Sequence, residues 1–225
     1  MKKAVFFDLF FTLANLEYQK ENEFTLLGIS RSEWESSAEN PQVYNLRATG
    51  KIKDEKEMIK SMVAGLSFSV KDRQLEKLVE IRNDRYRNSL TDIHPDILFT
   101  LKHLKEKGLK LCLVSNADII DKKYWPVSPL KDYFDDAIFS CDVGIVKPDK
   151  AIYQLAMEKL GVDAADSLFI GDGGSDELAG AKAVGMTTVL TEFMTVKDAC
   201  TRAKIKKSSD YVINNFKEIC NIVVK

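Results

Sequence analysis

AVFFD, residues 4–8, is four apolar residues closed by an acid, and the same pattern returns along the chain. It recurs as LKLCLVS (109–115), AIFS (137–140), SLFIGD (167–172), TTVL (187–190) and YVI (211–213). Apolar runs this short and continuous predict strands buried on both faces, as in a parallel sheet. Helical patterns lie between them: Ile97, Leu98, Leu101 and Leu104 share one face, as do Ile152, Leu155, Ala156 and Leu160. Gly108, Gly161 and Gly185 follow such patterns where a left-handed helix terminus needs glycine. Strand and helix alternate from about residue 94 onward, which predicts a doubly wound α/β sheet with ligands at the carboxyl ends of its strands.

Residues 15–93 break the alternation. Met58, Ile59, Met62, Val63 and Leu66, then Leu75, Leu78, Val79 and Tyr86, recur at helical spacing among many charges. This stretch is expected to be wholly helical. The chain would leave the sheet after its first strand, build a helical subdomain over 15–93, and return near His94-Pro95, leaving 1–14 and 94–225 as the α/β core. Pro95 suits the first turn of the next helix.

A chain of 225 residues with 45% hydrophobic content can bury a substantial core. With 33 Lys+Arg against 34 Asp+Glu, the formal charge of -1 supplies no global field for nucleic acid or an acidic membrane surface, so a small-molecule substrate is expected. Cys112, Cys141, Cys200 and Cys220 form no CxxC pair, which speaks against a zinc ribbon or dense disulfides and suits a reducing cytoplasm. MKKAVFFDLFFTLANL (1–16) imitates a short signal peptide, but Asp8 interrupts its apolar run and no clean cleavage site follows. No stretch has membrane-spanning length.

Reactive side chains stand at four strand ends: Asp8, Ser115-Asn116, Lys147 in KPDKAIY, and Asp172 in GDGGSDE. Taken singly, Ser115 reads as a turn residue, Lys147 as a helix-cap lysine and Asp172 as a turn acid. Asp8 is harder to dismiss, because an acid closing four apolar residues is costly unless paired or functional. Together and in this order the four resemble the haloacid dehalogenase superfamily over nearly the whole chain. FFDLFFTL supplies motif I, LVSN motif II, Lys147 motif III and GDGGSDELAGA motif IV, and the helical insertion falls where that family places a type 1 cap.

The resemblance implies that Asp8 attacks the substrate and forms a covalent ester that water releases. It implies magnesium held by Asp8, the Phe10 carbonyl and Asp172, with a small phosphorylated metabolite as substrate. Lys147 would keep the Asp8 carboxylate at low pKa, Ser115 and Asn116 would hydrogen-bond substrate oxygens, and Asp176 would hold Lys147, with Glu177 the alternative second acid.

Motif I departs from the phosphatase pattern. A second aspartate, acting as general acid and then base, is usual two residues after the nucleophile; here Phe10 stands there, and Phe11 follows where glycine is common. General acid-base assistance is worth ~10²–10⁴ in rate, so the loss matters for an alkoxide leaving group. An aromatic at Phe10, with Tyr153, resembles the metal-free 2-haloacid dehalogenases. Asp172 and the acids after it resemble the magnesium-dependent members instead, and a non-catalytic metal-binding homologue is a third reading. Asp118 or Asp121, in NADIID after motif II, could supply the missing proton, and Arg47 in YNLRATGKI could contact an anion or be a plain surface arginine. Lys51, Lys53, Lys56 and Lys60 offer a cap lysine for a Schiff base, but a lysine-rich helix is usually a solvated face. A dinucleotide reading of GDGGSDELAG fails because Asp176 stands where glycine is required. His94 is expected to cap a helix, and Trp125 to pack or to border the entrance.

Overall fold

The computed structural model describes residues 2–224. Six parallel strands, β1 (Ala4–Phe7), β2 (Lys110–Ser115), β3 (Asp136–Phe139), β4 (Ser167–Gly171), β5 (Thr187–Thr191) and β6 (Tyr211–Ile213), form one sheet in the order β3-β2-β1-β4-β5-β6. All six apolar runs become strands. Phe7 lies between Leu113 and Ile170 in register, so β1 is central and the strand order reverses between β1 and β4. Ligands of open α/β sheets gather at that reversal, which places the ends of β1 and β4, at Asp8 and Asp172, side by side.

The pleat sends alternate residues to opposite faces. Val5, Phe7, Leu111, Leu113, Leu168 and Ile170 pack with Ile97, Leu101 and Leu104 of α6 (Pro95–Glu106) and with Ile219 and Ile222 of α11 (Ile219–Ile222). Ala4, Phe6, Cys112, Val114 and Phe169 face Ile152, Tyr153 and Ala156 of α8 (Lys150–Leu160) and Leu178 and Ala181 of α9 (Glu177–Ala183). Each fully buried phenylalanine of β1 stabilises this arrangement by about 1.5–3 kcal/mol. Pro95 opens α6 and the His94 Nδ1 accepts from the Asp96 amide at 3.1 Å, as the sequence suggested. Two short helices complete the core, α7 (Ser140–Val143) directly after β3 and α10 (Ala199–Lys206). No helix among the described residues is long and apolar enough to cross a membrane.

The insertion contains five helices: α1 (Glu23–Leu27), α2 (Arg31–Ala38), α3 (Pro41–Ala48), α4 (Glu55–Val63) and α5 (Asp72–Thr91). Its first residues, 15–22, are not helical, contrary to expectation. Asn22 sets the start: its side chain accepts from the Thr25 amide at 3.0 Å while the Thr25 hydroxyl accepts from the Asn22 amide, a reciprocal cap. Trp34, Met58, Ile59, Met62, Leu75, Leu78 and Tyr86 form a separate apolar cluster, joined by Ile120 from the loop after β2. Trp125 is buried against Phe134 and Phe139 and does not border an entrance.

Insertion and sheet are joined by buried charge. Arg47 of α3 meets Asp118 at 2.5 Å, and Arg82 of α5 meets Asp118 at 2.9 Å and Asp121 at 2.7 Å, both arginines being at most 3% exposed. Arg47 is therefore neither a surface residue nor free for an anion, since it also holds Glu39 and the Ala38 carbonyl. Asp118, clamped by two guanidinium groups, is held well below the usual carboxylate range despite its burial. Burial and the Asp118 charge push Asp121 up to about 6. Both carboxyls are engaged within the cluster, so neither is the free proton source that NADIID suggested.

A raised folded-state pKa makes a carboxyl stabilising while protonated. The Asp121 contribution is thus complete below its ordinary value of 3.8 and lost as pH rises toward 6. Urea midpoints at pH 4.5 and 6.5 should show Asp121→Asn losing less stability over that rise than the parent does. Equal losses would count against the raised value.

Candidate active site

The end of β1 carries Asp8 into a buried pocket, 7% exposed. One of its oxygens accepts from Lys147 at 2.5 Å and the other from the Thr12 hydroxyl at 3.1 Å. Lys147 lies in the loop before α8, and its ammonium also meets Glu177 at 2.5 Å. Asn116 fixes that loop: its oxygen accepts from the Lys147 amide at 2.7 Å and its amide donates to the Lys147 carbonyl at 3.2 Å. The neighbouring Ser115 is buried and donates to the Asn116 carbonyl at 3.3 Å. Asp172 follows β4 and takes the Gly174 amide at 2.9 Å and the Lys197 ammonium at 2.6 Å.

Asp176 does not hold Lys147. It is largely exposed and lies 3.7 Å from Lys204. Ser175 and Asp176 both adopt left-handed backbone (φ 53° and 49°), and this turn carries Asp176 outward and brings Glu177, the first residue of α9, inward. The Glu177 carboxyl also accepts from the Gly173 amide at 3.2 Å, and any Cβ at Gly171 would stand 2.0 Å from it, so glycine there makes room for the acid. Tyr153 is fully buried and donates to the Glu177 carbonyl at 2.8 Å, which ties α8 to α9.

Oxygens of Asp8, Asp172 and Glu177 lie within 4.8 Å of one another. Three buried carboxylates face two ammonium groups, Lys147 and Lys197, leaving an excess of negative charge. Burial above all, and then the Asp172 charge, raises the Asp8 pKa against the pull of Lys147, which reverses the low value expected from the sequence. Glu177 is raised well above its ordinary value, again chiefly by burial and then by Asp8. The Lys147 pKa is raised because Asp8 and Glu177 together outweigh its own desolvation. An all-oxygen donor set with surplus negative charge fits a hard divalent cation.

A cleft of about 670 Å³ opens where the insertion meets the core, lined by Phe11, Tyr18, Arg31, Arg85, Tyr86 and Thr195 among others. Phe11 has left-handed backbone, φ 61°, at the position where the resemblance calls for glycine. The Phe10 ring meets Tyr86 of α5 edge-on, centroids 5.2 Å apart, so motif I touches the insertion through an aromatic contact.

The family model for haloacid dehalogenase-like hydrolases matches residues 2–185. The chain belongs to that family. Among curated relatives, the glyceraldehyde 3-phosphate phosphatase of Methanocaldococcus jannaschii is 30% identical over 133 residues, 58% of this chain and 56% of that protein. The match therefore spans little more than half of the relative's length. A solved HAD phosphatase from Thermococcus onnurineus is 26% identical with TM-score 0.66, covering 98% and 97% of the two chains. The L-2-haloacid dehalogenase of Xanthobacter autotrophicus, solved with chloropropionic acid covalently bound, has TM-score 0.69 at 20% identity over 100% and 99%, a likeness of fold alone.

Three participants were not assigned from the sequence. Thr12 stood inside motif I without a role. Lys197 sits in no motif, although β5 pairs with β4 and the loop leaving β5 must pass close to Asp172. Tyr44, on α3, is half-buried beside the Asn116 and Ser175 side chains, and nothing in a helical pattern marks it.

Proposed function

We propose that this hydrolase is a magnesium-dependent phosphatase of a small phosphorylated metabolite, working through an aspartyl-phosphate at Asp8. The carrying observation is the joint geometry at the β1–β4 reversal: Asp8 with Lys147 at 2.5 Å, beside two further buried carboxylates. Asp8, the Phe10 carbonyl and Asp172 are the residues that would hold the cation. Bound magnesium would offset the repulsion between an anionic nucleophile and an anionic phosphoryl group.

In this reading Asp8 attacks phosphorus while Lys147 places a fixed positive charge beside it, where low dielectric makes that charge count. Glu177 and Asn116 act on Lys147, one through its ammonium and the other through its backbone. Ser115, at the end of β2, would turn its hydroxyl from the Asn116 carbonyl to a substrate oxygen. The cleft volume suits a small metabolite. Asp8 does not line the cleft, so the helical insertion, taken as a cap over 15–93, would open for entry and close to exclude water.

Phosphate release from an aryl phosphate tests the reading, because that leaving group barely needs an acid. Turnover should require magnesium and vanish on chelation. Magnesium-independent release of halide from a 2-haloacid would instead establish the dehalogenase reading that Phe10 and Tyr153 suggested.

A further inference from the structure

Each carboxylate oxygen of the Asp8, Asp172 and Glu177 cluster already has a donor. Asp8 takes Lys147 on one oxygen and the Thr12 hydroxyl on the other, and Glu177 takes the Gly173 amide and Lys147. Asp172 takes the Gly174 amide on one oxygen, within the turn of its own loop, and the Lys197 ammonium at 2.6 Å on the other. A cation arriving at Asp172 therefore meets one already there. Thr12 and Lys147 are enclosed, at 0% and 3% exposure, whereas the Lys197 side chain is 31% exposed against an Asp172 side chain at 5%. Lys197 is the charged donor of the cluster that water reaches.

The loop that carries Lys197 is fixed on both sides of it. Just after β5 the Glu192 amide donates to the Ile213 carbonyl at 2.8 Å, its carboxylate accepts from Arg202 of α10 at 2.6 Å, and the Phe193 ring packs on Phe216 and His94. Immediately after Lys197, the Asp198 side chain caps α10, accepting from the Cys200 and Thr201 amides at 3.0 and 3.1 Å. The backbone at 197 is thereby placed, and the flexible stem of the lysine is what can move. A second partner is within reach, because the centre of the Phe11 ring lies 5.6 Å from the ammonium. Phe11 lines the cleft together with Met194 and Thr195 of the same loop, so an ammonium leaving Asp172 has a place to go on the cleft side.

We propose that Lys197 is a tethered counter-ion that competes with magnesium for Asp172, so that metal binding at this site exchanges one cation for another; this rests on the reading of Asp172 as a metal ligand. Two cations sharing one carboxylate oxygen in a buried setting repel each other strongly, and the covalently held one is the one that can retreat without leaving the protein. Lys197 then has two stations, Asp172 and the Phe11 ring, and the metal decides between them. The arrangement lowers the apparent affinity for magnesium by the fraction of time that Asp172 is available. If Lys197 holds Asp172 about nine-tenths of the time, that cost is about tenfold.

Calorimetric titration with magnesium chloride compares Lys197→Met with the parent, and the variant should bind about tenfold more tightly. Loss of a nearby positive charge would tighten binding even without displacement, so a second measurement follows the lysine itself in the unaltered protein. Acetylation of Lys197 by limiting acetic anhydride, quantified by peptide mass spectrometry, should rise at least about threefold on saturation with magnesium, because the ammonium is released from Asp172. Lys102, whose side chain is 68% exposed, serves as the internal standard. Unchanged or weaker binding by Lys197→Met, or unchanged acetylation in a parent that binds magnesium, would overturn the exchange. Failure of both parent and Lys197→Met to bind magnesium, or binding that survives Asp172→Asn undiminished, would instead overturn the metal assignment on which it rests.

Discussion

Asp8→Asn should lower phosphate release by at least about 10⁴-fold, the scale on which loss of a nucleophile acts, and should do so without destabilising the protein. The carboxamide is close to the same size and its oxygen can still accept from Lys147, but it cannot form the covalent ester. The stability half of the expectation comes from the charge excess at the site. With its pKa raised mainly by burial, Asp8 favours folding while protonated and disfavours it once ionised, so its contribution is lost as pH rises. An uncharged amide at neutral pH escapes that cost, and one of three crowded carboxylates disappears while Lys147 keeps Glu177. Thermal unfolding without added divalent cation should give an Asp8→Asn midpoint equal to or above that of the parent. Residual turnover within tenfold of the parent would remove Asp8 as nucleophile, and a large drop in midpoint would mean that Lys147, not Asp8, is the strained partner.

The sheet was legible because buried parallel strands leave a local trace: each is a short apolar run, and each run here ended within a residue of its expected limit. Asp8 and Asp172 were legible for a related reason, since a polar residue that closes such a run must stand at a strand end, where ligands bind; Lys147, in the loop between α7 and α8, closes no run and was singled out by the family resemblance. Choosing between Asp176 and Glu177 was not a question of spacing. It was decided by two consecutive left-handed residues, Ser175 and Asp176, a conformation uncommon outside glycine that no spacing in the sequence announces. The partners of Arg47 and Arg82 were hidden as well, because ion pairs spanning 71 and 36 residues of sequence leave no periodicity. Tyr44 and Lys197 belong to the same class: their positions follow from how the insertion and the β5 loop fold back, which no run or spacing encodes.

The charge cluster makes Arg82 the residue whose loss should cost most stability. Its guanidinium is 2% exposed, donates to Asp118, Asp121 and the Tyr86 hydroxyl, and lies 4.7 Å from the centre of the Tyr86 ring. Arg82→Met keeps most of the apolar stem but leaves two buried carboxyls to share Arg47. Breaking a buried pair in this way costs about 3–5 kcal/mol, because the penalty is that of an uncompensated buried charge. The same change should impair turnover, since Tyr86 carries the Phe10 ring and so connects α5 to motif I. Adding Asp121→Asn to Arg82→Met separates the causes. If unpaired charge is what hurts, the double variant recovers stability relative to the single one, and the two substitutions are non-additive by at least about 1 kcal/mol. Additive losses would point to packing around Tyr86 instead. A cost below about 1 kcal/mol for Arg82→Met alone would mean that water reaches Asp118 and Asp121, and hence that the helical insertion stands open over the sheet in solution rather than closed on it.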